Sequence, residues 1–222
     1  MNELYKLDNI NLNYNVNGNI IKVLKNINFE IKKNERVALI GESGSGKTSL
    51  LMLMSGLENP STGSIIFKKK DFSKISEEQK TSIRKKKIGL VFQQFYLIPN
   101  YTALENVMFP MQINKIKNEK EKAALILSEI GLENRKNNLP SELSGGEQQR
   151  VAIARAISFN PEVILADEPT GNLDRKNTEL VCNLLLNYSK KKKISLFLVT
   201  HNINLANRCD RVINLFDGQI KN

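Results

Sequence analysis

A chain of 222 residues with 41% hydrophobic and 25% charged side chains can close one core and is too apolar for wholesale disorder. No apolar run approaches the roughly 20 residues that span a bilayer, and Met1–Lys6 lacks a secretory apolar stretch, so a soluble, cytoplasmic protein that reaches the membrane through a partner is expected. The formal charge of +10 is dispersed over lysine runs at 68–70, 85–87 and 190–193 without interleaved aromatics, which reads as a solvated surface and not as a nucleic-acid groove.

In chain order, Ile10, Leu12, Tyr14 and Val16 alternate with asparagines, and Ile27, Phe29 and Ile31 repeat the pattern, as half-exposed antiparallel strands do. Arg36–Ile40 is instead a short, nearly continuous apolar strand, suited to a sheet covered on both faces. It runs into Gly41-Glu42-Ser43-Gly44-Ser45-Gly46-Lys47-Thr48, which satisfies G-x-x-x-x-G-K-[ST], and 47–57 continues as an apolar-rich helix. The glycines let backbone N–H groups turn inward around phosphate oxygens, and the helix directs its positive end at the same anion. Lys47 supplies a point charge for the β- and γ-phosphates, and the Thr48 hydroxyl can ligate Mg²⁺.

From about 76 to 138 the sequence is largely helical and more polar. Ser76 with Gln79 and Thr102 with Glu105 fit capping boxes, and Ile88–Phe92 between them is a strand ending at Gln93. Ser144 and Glu147 form a third box, while Gly145 and Gly146 leave the donors of the next helix bare. That is a second anion trap or, on the plainer reading, an ordinary capped helix.

Val163–Ala166 is a buried strand that emerges at Asp167 and Glu168. Ligands of a parallel sheet gather at the carboxyl ends of its strands, so this pair should face the phosphate loop, with Asp167 on Mg²⁺ and Glu168 as the base that polarises water. An acidic strand end alone is weak evidence; beside a phosphate loop it points to hydrolysis. Ile194–Val199 is a further apolar strand and leads to His201, the one histidine of the chain. Cys182 and Cys209 sit in no metal-ligand spacing and are expected to be buried hydrophobes. Strands alternating with helices imply a mainly parallel α/β core.

Read together, these segments resemble the ATP-binding cassettes of ABC transporters over essentially the whole chain. Gly41–Thr48 looks like Walker A, Leu143–Gln148 like the ABC signature and Val163–Glu168 like Walker B. Asp174 in Gly171-Asn172-Leu173-Asp174 matches the D-loop, Gln93 the Q-loop glutamine and His201 the switch histidine. The resemblance implies a single nucleotide-binding domain over 1–222: a P-loop NTPase, RecA-like core with an antiparallel β subdomain and an inserted α-helical subdomain that continues into the helix from Ser144. It implies ATP and Mg²⁺ as cofactors, with Tyr14 stacked on adenine and Ser49 among the nucleotide contacts. Lys47, Gln93, Glu168 and His201 form the implied catalytic set, His201 sensing the γ-phosphate; Thr48, Gln93 and Asp167 would hold the metal, with Gln94 the rival to Gln93. Two copies then bind head to tail, each ATP lying between Walker A of one and Ser144, Gly145, Gly146, Glu147 and Asp174 of the other.

Phe92–Pro99, Tyr101–Val107, Pro140–Glu147 and Ala166–Asp174 are similar to the lipoprotein-releasing group that includes LolD and MacB. MacB carries its membrane domain on the same chain, and nothing of that kind follows Ile220. A free-standing ATPase on the inner face of the cell membrane is therefore implied, coupled to integral membrane permease subunits. A macrolide-type efflux cassette, an FtsE-like cell-division ATPase and a nucleic-acid-associated ABC ATPase remain the alternatives. Asn202 departs from the group, whose members carry Asp after the histidine, and this bears on how His201 is anchored.

Overall fold

The computed structural model describes residues 2–221. Strands β1 (Glu3–Val16) and β2 (Asn19–Lys32) form an antiparallel hairpin. It is closed by Asn17 and Gly18, both at positive φ, the two-residue turn that matches strand twist. Asn9 and Asn26 also take left-handed φ, of 56° and 54°. They are bulges held by side chains: Asn9 N–H donates to Asn28 Oδ1 (2.8 Å) and Asn26 N–H to Asn11 Oδ1 (2.9 Å). With β4 (Thr62–Phe67) and β5 (Lys70–Asp71) the hairpin makes a sheet of order β2-β1-β4-β5. Ile10 and Leu12 are buried as the alternation predicts, whereas Tyr14 and Val16 are 40% and 48% exposed. The cause is length: β4 pairs with β1 only as far as Asn11–Thr62, and the hairpin end runs on without cover.

The second sheet contains β3 (Arg36–Ile40), β6 (Ile88–Val91), β7 (Val163–Asp167), β8 (Ser195–Val199), β9 (Arg211–Phe216) and β10 (Gln219–Lys221). Its order is β10-β9-β3-β8-β7-β6, parallel throughout except for β10. Chain-adjacent elements at the carboxyl ends of β3, β6, β7 and β8 therefore open on one edge, and the phosphate loop, Gln93, Glu168 and His201 are those elements.

Both faces are covered. Val163 and Leu165 face a core shared with the first sheet, α1 (Lys47–Ser55) and α2 (Glu77–Lys87). Ile164 and Ala166 face a second core with α5 (Gly145–Ile157) and α6 (Arg175–Lys192). A third core unites α3 (Ala103–Ile113), α4 (Glu119–Glu129) and the Val151 side of α5. Helix α5 thus buries residues on opposite sides, which explains the run Val151–Ile157, apolar except at Arg155. A short α7 (Ile203–Ala206) follows β8.

All three capping boxes, at Ser76, Thr102 and Ser144, are formed. The separately packed helical unit begins at α3 and not at 76: β6 pairs with β7 in the main sheet, and Ile83 of α2 lies in the first core. Cys182 is buried and Cys209 partly so; burial pushes both free thiols up to about 11, out of reach of thiolate chemistry. Among the described residues no helix is long and apolar enough to cross a membrane.

Candidate nucleotide-binding site

A cavity of about 470 Å³ opens at the carboxyl edge of the parallel sheet. Gly41, Ser43, Gly44, Gly46, Lys47, Thr48 and Ser49 line it from the loop and α1. Gln93, Asp167, Glu168, His201 and Val23 complete it. Gln94 is not among the lining residues.

Two of the loop glycines serve different needs. Gly46 has φ 101°, and a Cβ there would fall 2.8 Å from Leu24 Cδ2 and 3.0 Å from Val23 O, so the β hairpin presses against the loop. Gly44, at φ 79°, would direct a Cβ into open space with nothing within 4 Å, the side left free for an incoming group. The Lys47 ammonium is buried and donates to Gly41 O (2.9 Å) and Glu42 O (2.8 Å), which centres its charge in the loop. Ser45 is buried, its Oγ without a hydrogen-bond partner.

The Thr48 hydroxyl donates to Asp167 Oδ2 at 2.8 Å, joining the loop to the end of β7. Asp167 Oδ1 is buried and has no partner, and burial raises the Asp167 carboxyl above its ordinary range. Glu168 follows at φ 44°, a left-handed conformation unusual for a glutamate and of the kind that marks functional turns. Its N–H still donates to Val199 O (2.9 Å), continuing the ladder. Its Oε2 accepts from the His201 backbone N–H (3.3 Å), and His201 Nδ1 lies 2.9 Å from the same oxygen, so the two side chains pair closely. Asn202 caps α7 by accepting from Leu205 N, and its own N–H donates to Thr200 Oγ1, which fixes the turn that carries His201. Gln93 Nε2 donates to Asn172 Oδ1 at 3.0 Å and lies against Gly171, where a Cβ would come within 2.7 Å of it.

Tyr14 stands apart from the cavity lining. Its hydroxyl donates to the Glu58 carboxylate, and that bond pushes the phenol pKa up. Val23 is the residue of the β hairpin that reaches the cavity, and no sequence motif marks it.

The second predicted anion trap also lies outside this cavity. Ser144 Oγ accepts from Glu147 N (3.3 Å), and Glu147 Oε2 accepts from Ser144 N (2.8 Å). That backbone bond holds the Glu147 carboxyl below the usual range. Arg135 Nε donates to the other oxygen at 3.1 Å, a partner that the motif alone did not reveal. Asp174 caps α6, its Oδ1 accepting from Asn177 N at 2.9 Å. The structure thus separates two sets of predicted residues: Walker A, Walker B, Gln93 and His201 in one cavity, and Ser144–Glu147 with Asp174 at two neighbouring helix starts.

The ABC transporter family matches residues 24–171. The sequence is 42% identical over 219 residues to the lipoprotein-releasing system ATP-binding protein LolD of Wigglesworthia glossinidia brevipalpis, covering 98% of this chain and 96% of that protein. It is 45% identical over 202 residues to LolD of Legionella pneumophila (strain Paris), covering 90% and 89%. Among solved structures it is similar to the ATP-binding cassette MJ0796 in a dimeric post-hydrolysis state bound to ADP and Pi, with a TM-score of 0.92, 40% identity and coverage of 99% and 97%. It is also similar to cbiO1 of Clostridium perfringens, part of the ABC transporter complex cbiONQ, with a TM-score of 0.86, 29% identity and coverage of 100% and 88%. With its motifs assembled on this fold, the chain belongs to the ATP-binding cassettes of the ABC transporter family.

Proposed function

We propose that this chain is the ATP-hydrolysing subunit of a lipoprotein-releasing transporter, working as a head-to-tail pair on the inner face of the membrane beneath an integral membrane partner. The observation that carries the chemistry is the convergence of Lys47, Thr48, Asp167, Glu168 and His201 on one cavity. The identity to LolD chains over nearly the full length carries the choice of cargo.

ATP would enter with its triphosphate over the open side at Gly44, gripped by backbone N–H groups, the α1 N-terminus and Lys47. A divalent cation fits beside it. Mg²⁺ takes one or two protein oxygens plus phosphate and water. Thr48 Oγ1 and the unpartnered Asp167 Oδ1 would supply those oxygens, with Gln93 also lining the cavity; the ion would neutralise charge developing on the transferred phosphoryl group. Glu168 accepts the proton of the attacking water, and His201 holds that carboxylate in place and offers Nε2 toward the γ-phosphate.

Asp167 also gives a test that separates stability from chemistry. A raised carboxyl pKa means that the charged form costs folding free energy above that pKa and the cost is relieved as pH falls through it. Asp167→Asn removes the cost at neutral pH and should raise the melting temperature of the nucleotide-free protein by about 2–4 °C. Mg²⁺-dependent ATP hydrolysis should be lost in the same variant. A lower melting temperature would remove the buried, unpaired charge from this account.

The docking face for the partner lies on the segment after Gln93. Tyr96 is 63% exposed, with Tyr101, Phe109 and Ile113 also exposed on the following loop and α3. Half-buried Arg155 of α5 donates to Phe95 O (3.0 Å) and Tyr96 O (2.5 Å), so this loop is tied to the signature helix. The reading is tested by purifying the tagged chain from detergent-solubilised membranes. A four-helix membrane protein with a large periplasmic domain should accompany it and stimulate its ATPase; recovery with nucleic acid, or with no membrane protein, would overturn the assignment.

A further inference from the structure

Helix α5 and helix α6 meet at their first turns through one residue that no motif includes. A Cβ built on Gly146 would fall 2.3 Å from both Cγ and Oδ1 of Asn177 and 2.8 Å from Nδ2, so that amide occupies the place a side chain at 146 would take. At Gly145, by contrast, a Cβ would make only ordinary contact, 3.7 Å from Phe95 and 4.0 Å from Leu173. The Asn177 amide is hydrogen-bonded on both sides. Its Nδ2 donates to Asp174 Oδ2 (2.6 Å), its backbone N–H donates to Asp174 Oδ1 (2.9 Å), and its Oδ1 accepts from Arg150 Nη1 of α5 (3.1 Å). Arg150 Nε is buried without a partner, so the guanidinium depends on Asn177. Beside this contact a cleft of about 590 Å³ opens between the end of α4, at Glu129–Gly131, and α6, with Arg150 at its α5 side. The first-turn contact is therefore a close point of α5–α6 packing, added to the apolar core that Ile153 and Ile157 share with Val181 and Leu185.

We propose that Asn177 is a positioning residue for the reaction. By filling the space over Gly146 and bonding Asp174 and Arg150 together, it fixes the signature helix to the Asp174 loop within one copy, so that both address the nucleotide of the other copy as a single rigid unit. The bare position 146 is then demanded by a contact inside the chain, in addition to any need for an uncovered donor. This role presupposes the head-to-tail pair proposed above.

The test is a double-mutant cycle of Asn177→Ala and Gly146→Ala, built in a Glu168→Gln parent in which bound ATP persists. Dimerisation in ATP is measured by light scattering, binding to the separate copy by a fluorescent ATP analogue, and folding by thermal melting. Asn177→Ala should weaken the ATP-dependent dimer about tenfold, a coupling typical of residues in direct contact. Affinity of the separate copy for the analogue should stay at the parent value. Gly146→Ala should lower both the melting temperature and dimerisation, and Asn177→Ala added to it should restore part of each, because alanine lacks the three clashing atoms. If the Gly146→Ala defect is unchanged in the double variant, or if Asn177→Ala dimerises like the parent, the positioning role is wrong while the ATPase reading stands. A parent that binds ATP but never dimerises would sink the two-copy reading and the positioning role with it.

Discussion

With glutamine in place of Glu168, steady-state ATP hydrolysis should fall by about 10²–10⁴-fold, the range that a positioned general base contributes. ATP binding should persist, and ATP-bound dimers should accumulate. The reasons are geometric. The Glu168 carboxylate stands at the carboxyl end of β7, lines the cavity beside Thr48 and Asp167, accepts from the His201 backbone N–H and lies against the His201 ring at 2.9 Å. Glutamine keeps the length and planarity of the side chain and one oxygen to accept from that N–H, so the site keeps its shape. What it loses is the basic oxygen that takes the proton of water as the phosphoryl group transfers. The backbone at 168 already sits at φ 44°, set by the ladder bond to Val199 and not by the side chain, so folding should be untouched. Phosphate release gives the rate and light scattering the dimer. A variant that turns over ATP at the parental rate would strip Glu168 of its assigned role.

The parts of the site that the sequence displayed are those whose chemistry needs neighbours in the chain. A phosphate cradle requires consecutive N–H groups and a lysine at fixed offset, so Gly41–Thr48 is readable in one glance. The Asp167–Glu168 pair and His201 become legible once two apolar runs are recognised as parallel strands, because parallel pairing brings their ends to the same edge. Asn177, Arg135, Arg155 and Val23 follow another rule. Each acts through a partner on a different element: Gly146 and Arg150, Glu147, the carbonyls of 95 and 96, and the phosphate loop respectively. No local spacing encodes such contacts. The same limit explains the helical region. Ile88–Val91 reads as a strand, but its place at the edge of the main sheet depends on pairing with Val163–Ala166, and only the fold reveals that 76–91 packs with the core. In β1 the asparagines look like the polar half of an alternation, yet Asn9 is a left-handed bulge. Polarity alone does not distinguish an outward side chain from a residue chosen for its backbone.

The second large effect is expected at Lys47. Replaced by alanine, it should cost about 2–5 kcal/mol of ATP affinity, the usual loss when one member of a buried charge pair is truncated, or about 30- to 4,000-fold at 1.4 kcal/mol per decade. Hydrolysis should fall to background. In the structure the ammonium is buried and satisfied by Gly41 O and Glu42 O, two carbonyls on the wall of its own loop. These are neutral acceptors, so the positive charge remains available to a triphosphate, whose β- and γ-oxygens would become its strongest partners. Alanine removes that charge and also leaves the two carbonyls to water, so the loop loses both its electrostatic centre and an internal brace. Because the loop is open to solvent at Gly44, the freed carbonyls can hydrate, and the melting temperature should change far less than the affinity. Calorimetric titration with ATP and Mg²⁺ separates the two possibilities that matter. Binding retained with turnover lost would mean that backbone amides and the α1 N-terminus suffice for the ground state and Lys47 acts on the transition state alone. Turnover retained would mean that the triphosphate is held elsewhere, and the convergence of Thr48, Asp167 and Glu168 on this cavity would lose its chemical meaning.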